Sequence, residues 1–276
     1  MLSCSAQSGA SVTPTAAIKR IGRLAVAALH DELALYPKPG LVSFVDSGSH
    51  QDMDARTFMR SLFALRHCFP QMAELGAVSA PFSMLERAGI AAEARMLLAT
   101  DGVNTHRGAI FSLGLLCAGA GTLLAEGQRL TPMALRIAVQ DSWGRALGAR
   151  ATQRHAGLRG AGTEAALGFP LLFEVALPAL QQAQAAGLDE QRARLQTLFH
   201  IIAKLDDTNL VHRGGLAGLR FAQAAARDYL DAGGAAHPEG VKRAVELHRV
   251  FVARRLSPGG AADMLACACW LQRVCA

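Results

Sequence analysis

The chain has 276 residues, of which 51% are hydrophobic and 18% charged, and its formal net charge is +6. This composition is too apolar for a disordered chain and supplies enough side chains for a large buried core. Aromatic residues make up only 5%, and alanine and leucine dominate over valine and isoleucine, so an all-β sandwich is nearly excluded and helices are favoured. The basic charge suits an anionic partner, but the scattered arginines and rare lysines argue against a nucleic-acid surface.

The six cysteines include no CxxC pair, and the CxC of Cys267 and Cys269 would point its thiols to different sides of a helix. We therefore expect reduced, mostly buried cysteines in a cytoplasmic protein. Residues 1–14 lack the charged start and apolar core of a signal peptide. We predict a loose tail over 1–14 and a single domain over 15–276.

Apolar residues at helical spacing predict a first helix over about 15–35, which ends at a proline-rich turn, and a second that begins near residues 52–54. A third predicted helix covers 89–99. The uncharged stretch that follows, 108–125, has about the minimum length of a membrane span. Its four glycines and its lack of interfacial Trp or Tyr favour a buried central helix, so no membrane is expected.

Thr131 and Pro132 are typical of the N-cap and first residue of a helix, which we expect to run toward Gly148. A glycine-rich loop is predicted over 157–162. The remaining predicted helices cover 188–205, a stretch from 206–215 to Gly233, 238–256 and 261–275. We see no linker and no repeat. The sequence predicts one all-α domain of about nine to twelve helices.

Polar side chains are concentrated in short segments between the apolar helices, and each segment contains glycine or proline or begins a helix. Glycine lets the backbone approach a ligand closely while neighbouring side chains point at it. The predicted ligand-binding segments are 37–40, 50–54, 104–108, 159–164 and 206–215.

The charged residues of these segments suit a nucleotide polyphosphate. Magnesium prefers oxygen ligands and usually arrives with phosphates, although for Asp52 and Asp54 helix capping is an equally good explanation. Cations beside glycine-rich breaks suit an anion site, and they are Lys38, Arg107, Arg159 and Arg213. Three histidines share these segments, His50, His106 and His212, whereas His200 and His248 are expected to be structural.

Six segments, in this order, resemble the motifs of the triphosphoribosyl-dephospho-CoA synthase family, and together they span the chain from Pro37 to its end. They are Pro37-Lys38-Pro39-Gly40-Leu41-Val42, His50-x-Asp52-Met53-Asp54, 102–111, 159–170, 207–215 and Ser257-Pro258-Gly259-Gly260-Ala261-Ala262-Asp263.

The resemblance implies ATP and 3′-dephospho-CoA as substrates. The ribose 2′-hydroxyl of dephospho-CoA would attack C1 of the ATP ribose, adenine would leave, and 2′-(5″-triphosphoribosyl)-3′-dephospho-CoA would form. Residues 35–50 resemble the branch that serves malonate decarboxylase, with the citrate lyase branch as the alternative. This branch implies a functional link to the acyl-carrier subunit of malonate decarboxylase and to its phosphoribosyl-transfer enzyme.

This chemistry suggests a role for each candidate. Cleavage of the glycosidic bond builds positive charge at C1, which a carboxylate stabilises, while a base takes the hydroxyl proton. We expect Asp52, Asp54 and Asp207 to bind Mg²⁺ or face the sugar. Lys38, Arg107, Arg159 and Arg213 would hold substrate, with Asn104 and Asn209 on ribose hydroxyls. His50, His106 or His212 would carry the proton, and Glu164 is a further catalytic candidate.

Two other function classes fit the same residues. One is a Mg²⁺-dependent hydrolase of a nucleotide or ADP-ribosyl bond, which would use water as the acceptor. The other is a basic helical module that binds without turnover and is sensitive to salt. The apolar composition also fits a homodimer.

Overall fold

Helices account for nearly all of the regular structure. The computed structural model describes residues 14–151 and 158–276, which contain helices and no strands, so the all-α prediction is confirmed. Within these ranges there are twelve α-helices, at the upper end of the predicted number. They are α1 (Pro14–Ala34), α2 (Ala55–Leu65), α3 (Cys68–Ala77), α4 (Phe82–Ala99), α5 (Arg107–Ala125), α6 (Pro132–Arg150), α7 (Ala161–Ala166), α8 (Leu177–Ala185), α9 (Glu190–Ile202), α10 (Thr208–Asp231), α11 (Gly240–Ala253) and α12 (Gly259–Val274).

Helix α5 is the central helix of the core. It is the one helix of the described chain that is long and apolar enough to cross a membrane, and 78% of its apolar stretch is buried in the protein. Each of the helices α3 and α5 contributes a glycine to the interface between them. A Cβ at Gly76 of α3 would overlap the Ala118 backbone, and a Cβ at Gly121 of α5 would overlap Ala73. The glycines let the two backbones touch, and the prediction of a buried central helix is confirmed.

Five elements depart from the predicted pattern. Two of them, α7 and α8, lie between the predicted helix toward Gly148 and the one over 188–205, where no helix was predicted. Helix α3 was not predicted because it contains Pro70 and Gly76, both poor helix formers. Helix α4 begins at Phe82, seven residues before the predicted start. A π-helical turn, Leu172–Ala176, precedes α8, and Pro178 explains it in part because proline has no N–H for the Glu174 carbonyl. The predicted tail, up to residue 13, and part of the predicted 157–162 loop lie outside the described residues.

The first turns of α5, α10 and α12 lie close together at one end of the core, as the contacts given below show. Helix α10 is interrupted at Gly215, whose φ of +62° is not helical, so its first turn is a separate short piece. Four of the described cysteines, Cys68, Cys117, Cys267 and Cys269, are free and buried, as predicted. The fold thus brings three helix N-termini to the same place, and the first N–H groups of each helix, which have no carbonyl partner within the helix, are available to side chains.

Candidate functional site

The loop between α1 and α2 is fixed against the loop before α12. The hydroxyl of Ser49 donates to the Leu256 carbonyl at 2.6 Å. Gly40 has a φ of +66°, and a Cβ there would overlap that same carbonyl, so only glycine fits. His248, on α11, holds the loop from the other side through the Lys38 carbonyl (2.7 Å) and the Asp46 carboxylate (3.2 Å). His248 therefore has the structural role that was predicted for it.

Lys38 lies inside the protein and not on a phosphate-accessible surface. Only 1% of it is exposed, and its Nζ donates to Oε1 of Glu32 at 2.5 Å and to the Glu32 carbonyl at 2.7 Å. Burial lowers the pKa of Lys38, while the Glu32 carboxylate opposes that shift. The Lys38 ammonium therefore neutralises a buried carboxylate inside the protein.

Asp207 joins the first turns of α10 and α12. It is the N-cap of α10, where Oδ1 accepts from the Asn209 N–H at 2.8 Å, and its Oδ2 accepts from the Ala261 N–H at 3.0 Å. Gly260 lies against the carboxylate. Burial raises the pKa of Asp207, and the backbone N–H groups limit the rise. Both oxygens are thus engaged by backbone, each with lone pairs to spare.

Asp263 joins α12 to the first turn of α5. It accepts a hydrogen bond from the Ala109 N–H, and burial together with the charges of Glu32 and Asp207 raises its pKa well above the ordinary value. A Cβ at Gly108 would collide with its Oδ2. Glycine at position 108 is therefore what allows this carboxylate to reach the N-terminus of α5.

His106 lies near the same charged residues. It is 3% exposed, its Nδ1 lies 2.7 Å from the Ser61 hydroxyl, and its Nε2 is buried without a hydrogen-bond partner. Burial, assisted by the positive charge of Lys38, lowers the pKa of His106 to about 3, so the imidazole is neutral at physiological pH. We call the five residues that interact here the inner cluster: Glu32, Lys38, His106, Asp207 and Asp263.

A second group lies nearer the surface. Nδ1 of His50 is 2.9 Å from the Arg213 guanidinium and 3.5 Å from Asp52, and its Nε2 is 2.9 Å from the Ser257 hydroxyl. Since Arg213 donates to Nδ1, the other nitrogen carries the proton toward Ser257. Burial and Arg213 both lower the pKa of His50. We call His50, Asp52, Arg213 and Ser257 the outer cluster.

The two predicted acids of this loop have different environments. Asp54 is the N-cap of α2 in a capping box, where its Oδ1 accepts from the Thr57 N–H and hydroxyl, both at 2.9 Å, and these bonds lower its pKa. Asp52 is exposed and has only the His50 contact. Both line an open cleft of about 590 Å³ that also contains Arg56 and Arg60. Capping thus accounts for Asp54 and leaves Asp52 available to a ligand.

Several predicted residues are exposed around these clusters. Arg107 pairs with Glu93, and its backbone N–H is held by the Asn104 side chain at 3.1 Å. Asn209 lies against Gly259, and His212 is exposed on α10. The structure therefore brings His50, Asp52 and Arg213 together and places His106 near the charge of Lys38, while Asp207 is related to the inner cluster through Asp263. His212 and Arg107 make none of these contacts.

Arg159 and Glu164 lie in a separate cleft. The Arg159 N–H donates to Asp206 at 3.1 Å, and its guanidinium is 3.9 Å from Glu164. Glu164 is 6% exposed, accepts from the Leu171 N–H at 3.2 Å, and has a pKa raised by burial. This cleft is adjacent to the inner cluster because Asp206 precedes Asp207.

The donor set bears on the magnesium prediction. Asp52 and Asp54 line a surface cleft, whereas Asp207 is buried at the N-termini of α10 and α12. The contacts given above do not join Asp207 to either of the other two acids. Within residues 14–151 and 158–276, no three His, Cys, Asp or Glu side chains are grouped to hold one ion. This fits an ion that arrives with a triphosphate, because Mg²⁺ then needs only one or two protein carboxylates. Asp52 is the free carboxylate that fits this requirement.

Sequence reasoning missed Glu32 and Asp263. Each had a signal: Glu32 is an acid in the last turn of α1, where the helix dipole disfavours it, and Asp263 is the only charged residue before Arg273 in the otherwise apolar α12. An acid in such a position requires a compensating partner, which the fold supplies.

Comparison with known proteins identifies the family. A family model described as CitG: ATP:dephospho-CoA triphosphoribosyl transferase matches residues 18–276. The 2-(5''-triphosphoribosyl)-3'-dephosphocoenzyme-A synthase of Pectobacterium atrosepticum is 42% identical over 257 residues, which cover 87% of this chain and 84% of that protein. A protein of Azotobacter vinelandii, named as a probable synthase of the same kind, is 44% identical over 271 residues, 93% of this chain and 91% of its own.

No solved structure matches the chain. The family match extends over every helix of the described structure except the first four residues of α1. The chain belongs to the ATP:dephospho-CoA triphosphoribosyl transferase family.

Proposed function

We propose that this chain transfers the triphosphoribosyl group of ATP to the 2′-hydroxyl of 3′-dephospho-CoA, releases adenine, and supplies the product to malonate decarboxylase. The transferase activity follows from family membership over residues 18–276. The residue roles, the use of Mg²⁺, the cytoplasmic location and the malonate branch are our proposals.

One observation supports the site. Five of the six segments that resemble the family meet at the N-termini of α5, α10 and α12. The contacts that join four of them are His50 to Ser257 and Arg213, Asp207 to Ala261, and Gly108 to Asp263. Gly40, in the fifth, lies against the carbonyl of Leu256, the residue directly before the last segment. The sixth, 159–170, adjoins them through the Arg159–Asp206 hydrogen bond. Segments far apart in sequence thus meet through polar side chains, although apolar packing would be sufficient to hold the helices together.

The reaction needs a carboxylate beside C1 and a proton acceptor for the hydroxyl. We assign these functions to the inner cluster. His106 is preferred over the other two histidines because its Nε2 is buried and unpartnered, whereas both nitrogens of His50 are engaged and His212 is exposed. Its neutral ring orients the 2′-hydroxyl by a hydrogen bond. Asp263, whose raised pKa makes its carboxylate a better base, accepts the hydroxyl proton as the C1–O bond forms and the C1–adenine bond breaks. Adenine leaves with the bonding electron pair and takes up a proton from water, and Asp263 later returns its proton to water, so the reaction consumes no net proton.

The triphosphate belongs at the outer cluster. Asp52 would hold one side of a Mg²⁺ ion, which neutralises phosphate charge when bound, and Arg213 and Arg56 would contact the phosphate oxygens. An oxygen-rich anion suits this surface because the arginines there are exposed.

The first test is chromatography of a reaction that contains the protein, ATP, Mg²⁺ and 3′-dephospho-CoA. We expect adenine and a heavier CoA conjugate in equal amounts. Adenine with free ribose triphosphate would indicate the hydrolase instead, and no adenine from the folded protein would contradict the transferase. Asp263→Asn is expected to abolish turnover, with Asp228→Asn, an exposed residue of α10, as the control.

The malonate branch is tested in the source organism. Deletion of the gene is expected to abolish growth on malonate and leave use of citrate unchanged, because the carrier subunit of malonate decarboxylase would lack its prosthetic group. The reverse result would assign the chain to citrate lyase. Light scattering of the purified protein tests the proposed homodimer.

A further inference from the structure

The cleft beside Arg159 has a different chemistry from the rest of the site. It has a volume of about 260 Å³, and its apolar side consists of Pro170, Leu171, Val175 and Leu205. This is smaller than the roughly 300–1,000 Å³ that pockets for whole drug-sized ligands occupy. It is therefore suited to one arm of a long ligand.

Its charges disfavour a phosphate. Three carboxylates, Glu164, Glu174 and Asp206, line it together with two cations. The Arg159 backbone is tied to Asp206 and its guanidinium is near Glu164. No uncompensated positive charge remains for a triphosphate of several negative charges. An uncharged chain with amide N–H groups would instead find carboxylate acceptors beside an apolar wall.

Hydrogen bonds fix the acidic side chains that line the cleft. Glu164 is almost fully buried and is held by the Leu171 N–H. Glu174 and Val175 lie on the π-helical turn, and Arg136 holds Glu174 from outside at 2.8 Å. π-Helical turns within helical regions are frequent at functional sites.

The position of the cleft relates it to the acceptor substrate. Asp206 lines it, and the next residue, Asp207, belongs to the inner cluster. Consecutive Cα atoms are about 3.8 Å apart, so the inner cluster and the cleft can bind different parts of one extended ligand. In dephospho-CoA the diphosphate follows the ribose and the uncharged pantetheine arm with two amides follows the diphosphate, so the arm is the part that suits the cleft.

We propose that the cleft formed by Arg159, Glu164, Val175, Leu205 and Asp206 binds the pantetheine arm of dephospho-CoA and distinguishes this acceptor from ADP. The inference rests on the proposed function. ADP contains the same ribose 2′-hydroxyl and the same diphosphate but no pantetheine. The cleft would therefore contribute to binding of dephospho-CoA and contribute nothing to ADP or ATP.

The test narrows the cleft by Val175→Phe and compares acceptors. With dephospho-CoA we expect KM to rise about tenfold, with KM for ATP unchanged and with ADP used as poorly as by the unmodified enzyme. Ile137→Phe, the same enlargement at an exposed position of α6, is the control. An equal loss of kcat/KM with both acceptors, or no loss with either, would overturn the proposal.

A second measurement uses free pantetheine as an inhibitor. We expect it to compete with dephospho-CoA in the unmodified enzyme and to inhibit Val175→Phe about tenfold less. Equal inhibition of both proteins, or none, contradicts the cleft assignment. Failure of the proposed function has a different signature, since the unmodified enzyme would then form no CoA conjugate from ATP and dephospho-CoA, whether or not adenine is released.

Discussion

The inner and outer clusters contain similar residue types in opposite environments. Lys38 and Glu32 are buried and bound to each other, whereas Arg213 and Asp52 are exposed and both contact Nδ1 of His50. A buried ion pair must be complete, because removal of one partner leaves a charge without solvent. An exposed charge costs little to remove and remains free to meet a ligand. This difference is the basis of our proposal that the inner cluster shapes the site and the outer cluster recruits the charged substrate.

The largest expected effect comes from breaking the buried pair. Glu32→Gln leaves the Lys38 ammonium buried without a counter-charge, and we expect a loss of about 3–5 kcal/mol in the free energy of unfolding, measured by urea denaturation. Glu93→Gln, which breaks the surface pair with Arg107, is the matched control and is expected to cost less than about 1 kcal/mol.

The double variant Glu32→Met with Lys38→Met sharpens this test. It removes both charges and fills a similar volume, so we expect it to recover most of the lost stability. If Glu32→Gln costs no more than Glu93→Gln, the pair is not the buried element that its geometry indicates.

His106 provides a pH test of the inner cluster. Its pKa is lowered to about 3 in the folded protein, against the ordinary value of 6.5. Between these values the unfolded chain binds a proton that the folded protein does not, so stability falls as pH decreases, by about 1.4 kcal/mol per pH unit from this residue. His106→Asn should remove this contribution from a plot of unfolding free energy against pH.

The matched control is His212→Asn, since His212 is exposed. It is expected to leave the pH dependence unchanged. If the unmodified protein and His106→Asn show parallel curves between pH 6.5 and 4, His106 titrates normally and is not the buried neutral imidazole proposed for the site.

At the outer cluster we expect an effect on activity and little on stability. Arg213→Met removes the proposed phosphate contact, the hydrogen bond to His50 and two exposed hydrogen bonds to the Ser49 and Arg255 carbonyls. KM for ATP should therefore rise about tenfold, while the free energy of unfolding changes by about 1 kcal/mol or less. Steady-state kinetics with ATP varied, beside thermal melts, measures both. Arg220→Met, an exposed residue of the same helix, should change neither.

The helices and the site were predictable to different extents. Periodic apolar residues predict α1, α9 and α12 within a few residues, because each buries one continuous stripe or face. The same rule misses α3, which is stabilised by close packing of Gly76 against α5 and not by its own propensity.

Polar segments predict where the site lies, but not which charges are buried. Lys38 and Arg213 have similar sequence surroundings, each beside glycine or proline, yet one is buried and the other exposed. The difference arises from Glu32, which lies six residues earlier in the last turn of α1 and meets Lys38 across the turn that follows, a pairing that no helical spacing rule identifies. The role of Asp263 depends in the same way on Gly108, 155 residues earlier in the chain.

The smallest expected effect distinguishes Asp54 from Asp52, the two acids that line the open cleft of about 590 Å³. Asp54→Ala removes the capping box of α2 and should cost about 1 kcal/mol in unfolding free energy at neutral pH. Because Thr57 lowers the pKa of Asp54, this stabilisation is present above the unfolded-state pKa and is lost as pH falls through the folded-state pKa. The two proteins should therefore become equally stable in acid.

Asp52→Ala should do the opposite, with unchanged stability and a higher Mg²⁺ concentration needed for half-maximal turnover. If Asp54→Ala shifted the Mg²⁺ requirement and Asp52→Ala did not, the roles of the two carboxylates would be exchanged. The distinction has a physical reason. Oδ1 of Asp54 already accepts hydrogen bonds from Thr57 at the start of α2, so binding of a Mg²⁺–triphosphate there would compete with the helix cap. Asp52 has no such hydrogen bonds to α2 and can bind the ion without destabilising that helix.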